Sequence, residues 1–398
     1  MEIQVLTTEY VGKRGQLFWL ALKTSFLTVL TLGFYRFWMK TRLRRFYWSA
    51  IRPGGIPLEY AGTGVEKLMG FLVAVVVMAF YIGVFNLILM FLSYSLLNNN
   101  FAAYAMSFVG VIPIYFYAQY RARRYVLART RWRGVRFGID AAAWPYAWRA
   151  MLHWLATILT LGILLPRQIF WLEKFRVDRT WFGRARFHQG GRWVLLLRSA
   201  VHLYIGIALT LLAVGIGWFD EAGFALLTLG LPWLVIGFVH FRVKSFRILA
   251  EHKTLAEHVK FRAKPRTGRV LRIYVFGNFL AYLILIAGLI VLMFSVLSLV
   301  LAIAPDGLSG DQFENLFTAS EGVSRFGAFF AAGLAYFSFF IFWGVLTQVF
   351  VTVPMMHHYA ETLSILNSHH LNAISQRPRD EFGEAEGFAE ALDIGAAI

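Results

Sequence analysis

Long apolar runs without a charged residue dominate the chain. Three of them, 68–120, 273–305 and 326–356, contain 53, 33 and 31 residues. Because a helix that spans the roughly 30 Å hydrocarbon layer of a bilayer needs about 20 apolar residues, the first run predicts two membrane-spanning helices and a turn. Each of the other two runs predicts one long or tilted span.

Positive charge is concentrated between the apolar runs. Lys and Arg together number seven in 36–67, eight in 119–149, six in 173–193 and ten in 241–272. Short basic loops stay in the cytoplasm, because basic residues resist translocation and the inner leaflet is anionic. We therefore expect these four segments, and the C-terminus, on the cytoplasmic side of the membrane.

This alternation predicts three helical hairpins, each of which begins and ends in basic sequence. The fold class that follows is an all-α polytopic membrane protein with six transmembrane helices. The helices are predicted at 68–96, 101–119, 194–217, 222–241, 274–304 and 326–355. No cleavable signal peptide is expected, because Glu2 and Glu9 stand where its basic n-region would lie.

Two further apolar segments, 16–39 and 150–172, are shorter between charges. Only 12 uncharged residues separate Lys23 from Arg36 in the first, and the charge-free stretch of the second has 17. Apolar runs of 10 to 14 residues are more often interfacial or re-entrant than spanning. If 150–172 crossed the membrane, the six basic residues of the loop after it and the ten before the last hairpin would lie outside.

Each of these segments contains a predicted bend. Gly33 lies at the first bend, and Gly162 and Pro166 lie at the second. Backbone groups freed at a bend must find partners inside the protein or in a water-filled cavity, because lipid offers none. We therefore interpret both segments as bent re-entrant or interfacial elements on the cytoplasmic side. For the first segment, an ordinary span with an external N-terminus is the alternative.

Similar motifs recur along the chain. "LTLGFYRFW" and "LTLGILLP" each stand beside dense positive charge and are followed by a hairpin. The recurrence predicts repeat 1 at 10–120, repeat 2 at 121–241 and a degenerate repeat 3 at 242–367. Residues 368–398 form an acidic tail, with six acids in the last 20 positions, that we expect to be mobile and that could dock on the basic loops.

The basic loops alternate in a way that is typical of strands. In "RTRWRGVRFGI", Val135, Phe137 and Ile139 lie on one side of an extended chain and Arg136 on the other, and Gly134 suits a turn. Similar aromatic and glycine patterns occur in "PLEYAGTG", "FGRARFHQGG" and "VKFRAKPRTG". We predict a small cytoplasmic cap of short β-hairpins. Irregular loops anchored by aromatic residues at the membrane interface are the alternative.

Composition agrees with the membrane class. Of the 398 residues, 58% are hydrophobic and only 15% are charged, which is more apolar surface than a soluble core can bury. The chain has no cysteine, so disulfides and thiolate metal sites are excluded.

Several linked motifs resemble one protein family. "LTLGFYRFWMKTRLRRFYW", "YAGTG", "RRYVLARTRWRGVRFG" and "LTLGILLP" are similar to the YjgN-like family of bacterial inner-membrane proteins, a domain-of-unknown-function family. The resemblance extends from about Tyr10 to Asn367. It implies a multi-pass inner-membrane protein, brings no established reaction and no catalytic residues, and suggests a membrane-linked peptidase as a partner.

Cationic residues near the membrane are the candidate sites. Arg36 and Arg167 follow equivalent bends, and Arg198 lies one helical turn before His202. These four residues are candidate contacts for an anion or for the headgroups of anionic phospholipids. The alternatives are structural: Arg198 can extend to the interface, and the other two arginines can satisfy carbonyl groups at the bends.

Other chemistry receives little support from the sequence. The predicted spans contain no Asp or Glu, which argues against a cation-coupled pump. The histidines of "HHYAETLSILNSHH" lack the HExxH spacing of zinc sites, so neither a metal nor another cofactor is expected. Basic loops at span boundaries are explained by lipid, and nucleic acid is not expected as a partner.

Two functions remain. The first is translocation or handling of an anionic solute or lipid, because bent segments in repeated units resemble the discontinuous helices of transporters. The second is a non-catalytic membrane scaffold or regulator of a partner, such as a membrane-linked peptidase. An enzyme is less expected than either. The substrate, the oligomeric state and the identity of a partner stay open.

Overall fold

A computed structural model describes residues 4–97, 100–303 and 322–377. These residues are mostly helical. The α-helices are α1 (Arg14–Leu30), α2 (Arg36–Ala50), α3 (Gly64–Leu97), α4 (Asn100–Ala128), α5 (Ala143–Leu159), α6 (Leu165–Val177), α7 (Leu197–Gly217), α8 (Leu227–Glu251), α9 (Thr267–Ile303), α10 (Gly322–Thr347) and α11 (Val353–Thr362). The strands are β1 (Val5–Tyr10), β2 (Ile51–Pro53), β3 (Leu58–Tyr60), β4 (Thr130–Trp132), β5 (Val135–Ile139), β6 (Thr180–Phe182), β7 (Ala185–Gln189), β8 (Lys253–Leu255), β9 (Val259–Ala263) and β10 (Leu363–Leu366).

The strands form one sheet in the order β2-β1-β10-β9-β8-β7-β6-β5-β4-β3. All neighbouring pairs in it are antiparallel, and the N-terminal strand joins the C-terminal one, with Val5 opposite Leu366. The two edge strands, β2 and β3, follow each other in the chain, so the sheet is nearly a closed barrel. The prediction of an all-α fold is therefore wrong. The hairpins expected as a small cap belong to a sheet of ten strands.

The hairpin of β4 and β5 shows why the loops fold this way. Trp132 pairs with Val135 across a two-residue turn, in which Arg133 has φ 53° and Gly134 has φ 77°. Two consecutive residues with positive φ make a type I′ turn, whose twist matches that of the strands it joins. The all-α assignment underestimated the sheet because three-residue strands are too short to stand out among long apolar helices.

Apolar side chains from most of the strands pack together in the sheet core. The buried members are Trp132, Phe182, Leu255, Val259, Ile365 and Leu371. Phe137 contacts Phe182 with ring centroids 4.7 Å apart, and Phe187 contacts Phe261 at 5.8 Å. The sheet therefore brings together residues that are far apart in the sequence.

Helix pairs alternate with the strands along the chain. In four successive segments, a strand leads into a pair of helices and the next strand returns to pair with the first, as β1, α1, α2 and β2 do. Strands β9 and β10 pair in the same way around a segment whose described residues include α9, α10 and α11. The division into three repeats at 10–120, 121–241 and 242–367 is a different one and stays a prediction. Most of the acidic tail, residues 378–398, lies outside the described residues.

The chain forms two compact units. The first, here called the sheet unit, comprises the described residues of 1–12, 40–271 and 357–398. It contains the ten strands and helices α3 to α8. The second, here called the helical unit, comprises the described residues of 13–39 and 272–356. In it, Ala281, Leu285 and Leu346 form the centre of a small apolar core.

Five helices among the described residues are long and apolar enough to cross a membrane. They are Gly64–Leu96, Trp193–Gly217, Glu221–Glu251, Thr267–Ser295 and Tyr336–Thr362. They correspond to five of the six predicted spans, so the helix count differs from the prediction. The sixth, 101–119, lies within α4, where the side chains of 101–110 are outside the description.

Helices α7 and α8 pack through glycines. A Cβ added at Gly206 would lie 2.5 Å from Leu234 Cα, and one added at Gly237 would lie 2.5 Å from the carbonyl oxygen of His202. Small residues that let two backbones approach closely are typical of helix pairs in membranes. This hairpin therefore depends on the absence of side chains at these two positions.

The two segments expected to bend, 16–39 and 150–172, each contain a helix that ends in the same kind of turn. After α5, Leu161 N–H donates to the Ile158 carbonyl at 3.0 Å and Gly162 N–H donates to the Thr157 carbonyl at 2.8 Å. Leu161 has φ 48° and Gly162 has φ 89°. This pair of bonds is a Schellman motif, which ends a helix in the left-handed region. The turn after α1 repeats it, with φ 94° at Gly33.

Candidate anion-binding site

A pocket of about 130 Å³ lies in the sheet unit, where the C-terminal end of α4 meets strands β4, β5 and β6. The charged residues that line it are Glu66, Arg124, Arg129, Arg131, Arg136 and Arg377. Five guanidinium groups and one carboxylate leave four positive charges in excess. We call this site the arginine pocket.

Strand pairing places two of these arginines side by side. Arg131 on β4 is directly opposite Arg136 on β5. Directly opposite residues of an antiparallel pair project from the same face of the sheet, and like charges in that position are destabilising. On its other side, Arg131 is opposite Glu59 of β3. The two arginines and Glu59 are therefore neighbours on three adjacent strands.

Glu66 is the acid of the arginine pocket, and it is engaged by two neighbours. Its carboxylate lies 3.1 Å from Arg129 Nε and accepts a hydrogen bond from the Tyr125 hydroxyl at 2.9 Å. Burial acts to lower the pKa of Arg129, but the charge and hydrogen bond of Glu66, together with Tyr125, outweigh burial and leave the pKa of Arg129 above its ordinary value. Glu66 therefore fixes Arg129 in place.

Trp181 adds a neutral donor to the wall of the arginine pocket. The side chain is only 6% exposed, and no group among the described residues accepts a hydrogen bond from its Nε1–H. A buried donor without an acceptor costs about 1–3 kcal/mol. The Arg377 guanidinium lies 4.7 Å from the centroid of the Trp181 ring. Gly138 leaves space for that ring, since a Cβ added at Gly138 would be 2.0 Å from Trp181 Cζ2.

The C-terminal strap of residues 374–377 closes one side of the arginine pocket. Arg184 N–H donates to the Ser375 carbonyl at 3.0 Å, and Arg136 N–H donates to Gln376 Oε1 at 3.0 Å. These bonds hold the strap against the ends of β5 and β6. Arg377 reaches the pocket because the strap is held there.

A second group of charges ties the helices of the sheet unit to the sheet. Glu173 on α6 lies 2.9 Å from Arg176 and 3.3 Å from Lys253 on β8. Burial alone would raise the pKa of Glu173, but the charges of Lys253, Arg176 and Arg123 hold it well below the usual range. Burial lowers the pKa of Arg123. Because the one carboxylate is held by three cations, this cluster links α6 to the sheet and has a structural role.

The residues expected from the sequence to contact anions lie elsewhere. Arg36 is the first residue of α2, Arg167 lies in the first turn of α6 just after the buried Pro166, and Arg198 is the second residue of α7. The ring of His202 lies 5.1 Å from that of His240 on α8. None of these side chains lines the arginine pocket.

Sequence reasoning missed the arginine pocket, although part of it was readable. A two-residue turn at 133 and 134 in "RTRWRGVRFG" makes Trp132 pair with Val135, and Arg131 must then face Arg136. Nothing local indicated that Trp181 or Arg377 would join them. Within the described ranges, no cluster of three His, Cys, Asp or Glu residues is arranged to hold a metal ion.

The long apolar helices and the basic sheet define a predominantly helical protein of the membrane class. The chain belongs to the family described as "Bacterial protein of unknown function (DUF898)", whose model matches residues 5–284. YjgN-like is the naming of that family, so the resemblance found in the sequence is confirmed. The match ends at residue 284, before the expected end at Asn367. Comparison with curated proteins and with solved structures found no match.

Proposed function

We propose that this protein is a bacterial inner-membrane protein that binds a phosphate-bearing anion in the arginine pocket. The observation that carries the proposal is the excess of four positive charges around a small cavity, with Arg131 and Arg136 directly opposite each other. An anion between the two guanidinium groups would remove their repulsion. It would also offer an acceptor to Trp181.

Arginine suits such a ligand. Its planar guanidinium group presents donors in a fork that matches phosphate or carboxylate oxygens in pairs. The cavity of about 130 Å³ is smaller than the roughly 300–1,000 Å³ of pockets for drug-sized ligands. The ligand is therefore a small anion or the phosphate end of a larger molecule, such as a lipid headgroup.

The position of the arginine pocket favours binding over translocation. It lies beside the sheet and the last turns of α4, and Glu66 belongs to the first turn of α3. The orientation rule for basic loops supports a cytoplasmic location for the sheet. In this arrangement the protein handles an anionic solute or lipid headgroup at the cytoplasmic surface.

The α5–α6 hairpin supports the proposed re-entrant arrangement. With 17 residues, α5 is about 25 Å long, which is less than the roughly 30 Å of hydrocarbon. Its turn exposes Leu159, Leu161 and Ile163. We propose that this apolar turn dips into the cytoplasmic leaflet and that both helix ends stay on the cytoplasmic side.

Anion binding is tested on the full chain, purified in detergent and in nanodiscs. Inorganic phosphate and phosphatidylglycerol are the two probes, and they separate a free anion from a lipid headgroup. The Arg131→Gln/Arg136→Gln variant should lose about tenfold or more in affinity for the preferred probe, because each charge-assisted bond contributes about 1.5–3 kcal/mol. Arg149→Gln is the matched control, since Arg149 is exposed on α5 and donates to the Pro145 carbonyl.

Binding of both probes that is equal in the native chain and in the double variant would overturn the proposal. The same result would favour the second function, a scaffold or regulator of a membrane partner such as a peptidase. Thermal unfolding of each variant shows whether the change in binding reflects the pocket or a loss of the fold.

A further inference from the structure

A second cavity, of about 230 Å³, lies in the sheet unit between α4 and the start of α5. Its side chains are Tyr117, Tyr120, Arg121, Arg124, Trp144 and Pro145, with three alanines beside them. We infer that this cleft, here called the headgroup cleft, binds the phosphate of one anionic phospholipid from the bilayer. The acyl chains of that lipid would lie along α5.

Positive charge provides the binding site for the phosphate. Arg121 and Arg124 are three residues apart on α4 and therefore lie on one face of it. Asp140, next to the cleft, uses its carboxylate on Arg186 at 3.3 Å and its carbonyl on the Tyr120 hydroxyl at 2.8 Å. The acid nearest in sequence is thus engaged outside the cleft.

Two aromatic rings mark the level of the membrane interface. Tyr117 and Trp144 lie with ring centroids 4.8 Å apart, and Arg121 Nη1 donates to the Tyr117 hydroxyl at 3.3 Å. Tyr and Trp are enriched where one end of the side chain is apolar and the other is hydrated. This pair therefore places the phosphate at its polar side and the acyl chains at its apolar side.

An exposed apolar stripe continues from the cleft along α5. Trp148, Leu152, Leu155 and Leu159 follow Trp144 at intervals of three or four residues and are 56–74% exposed. Such spacing puts all of them on one helix face. The opposite face of α5 is buried in the sheet unit. From residue 144 to residue 159 the stripe is about 22 Å long, a length that suits an acyl chain.

The combination selects a phospholipid over other occupants. A pair of arginines at one end and an uncharged stripe of leucines and tryptophans beyond it match an amphipathic anion, with charge at one end and hydrocarbon behind. A soluble anion would leave the stripe uncovered. The two cavities share Arg124 but differ in every other cation, so Arg121 distinguishes the headgroup cleft from the arginine pocket.

The test uses native mass spectrometry of the full chain after delipidation and addition of defined lipids. Phosphatidylglycerol and phosphatidylcholine are the probes. The native chain should retain one phosphatidylglycerol at concentrations about tenfold below those needed for phosphatidylcholine. Arg121→Gln should abolish that preference, Arg121→Lys should keep part of it, and Trp144→Ala should weaken both lipids.

The matched control is Arg131→Gln, which alters the arginine pocket and leaves the headgroup cleft intact. This control should bind phosphatidylglycerol at the headgroup cleft like the native chain and should lose affinity for inorganic phosphate. Arg121→Gln should lose the preference for phosphatidylglycerol and should bind inorganic phosphate like the native chain. An unchanged lipid preference in Arg121→Gln would overturn the inference. If the native chain retained a second protein copy in place of lipid, and Trp144→Ala lost that copy, the inference would be overturned as well. Neither result would affect the proposal for the arginine pocket.

Discussion

Arg131 and Arg136 face each other across the β4–β5 hairpin and project from the same side of the sheet. A folded protein keeps such a pair of like charges only if other groups compensate for their repulsion. Glu59 faces Arg131 from β3, and a bound anion would complete the compensation. The pair therefore connects the stability of the sheet with occupancy of the arginine pocket.

The first prediction concerns this pair. Arg136→Gln should raise the free energy of unfolding by up to about 1 kcal/mol in low salt without phosphate, because the repulsion is removed and Arg131 keeps Glu59. The gain should shrink as salt is added. Phosphate should raise the melting temperature of the native chain and not that of the variant. Thermal unfolding with and without phosphate is the measurement, and equal shifts would contradict the prediction.

The second prediction concerns Glu173. Glu173→Gln should destabilise the protein by up to about 3–5 kcal/mol near neutral pH, because it leaves the partly buried Arg123, Arg176 and Lys253 without their counter-charge. The pKa of Glu173 is lower in the folded chain than in the unfolded one, so its stabilisation is complete above the unfolded value of about 4.3 and is lost as the pH falls below it.

Unfolding of the native chain and of Glu173→Gln between pH 3 and 7 tests this. The difference between the two free energies should be largest near pH 7 and should shrink toward pH 3. A difference that is constant over this range would show that Glu173 acts through packing and not through charge. The exposed pair of Arg247 with Glu251 offers a control, and Glu251→Gln should change stability by less than about 1 kcal/mol.

A third prediction concerns Gly138 beneath Trp181. Gly138→Ala would place a Cβ about 2.0 Å from Trp181 Cζ2, so the ring must move away from the wall of the arginine pocket. We expect a loss of about 1–3 kcal/mol in stability and weaker phosphate binding. Gly83→Ala is the control, because no atom lies within 4 Å of a Cβ added there. Normal phosphate affinity in a folded Gly138→Ala variant would show that Trp181 is not part of the site.

Helices α7 and α8 provide a fourth prediction. Gly237→Ala should separate the two helices, since its Cβ would lie 2.5 Å from the carbonyl oxygen of His202. Gly215→Ala, with open space at the added Cβ, should be neutral. Unfolding in detergent by heat is the measurement. Equal melting temperatures of the two variants would mean that the helix pair is looser than its backbone contacts indicate.

The fifth prediction concerns membrane orientation. Reporter fusions should place residue 180, in β6, on the cytoplasmic side and residue 220, between α7 and α8, outside. An external reporter at residue 180 would contradict both the six-span arrangement and the cytoplasmic location proposed for the arginine pocket.

Much of the helical part of the fold was accessible from the sequence. Five of the expected spans coincide with helices, because a long run without charges has few other stable conformations. The turns at Gly33 and Gly162 could also be predicted from the sequence, because each glycine interrupts an otherwise regular apolar run.

The sheet and the arginine pocket could not be read in full. Strands such as β6 have only three residues, which is too short for a hydrophobic period to be measured. One of the two partners of β6, strand β5, is separated from it by a whole helix pair. Val135 and Phe137 lie in the sheet core as their alternation indicates, but Ile139 packs into a cluster with helices instead. Arg377 joins the arginine pocket only because the chain returns there more than 190 residues after Trp181.

The pairing of β1 with β10 has a consequence for biosynthesis. The first strand is made at the start of translation, and its neighbour on one side, Leu363–Leu366, emerges only after every candidate span has been synthesised. Until then β1 and β9 present unpaired edges, which favour wrong pairing with other chains. Insertion of the helices must therefore precede completion of the sheet, and a ribosome that stops before residue 363 releases a protein with an open β-edge.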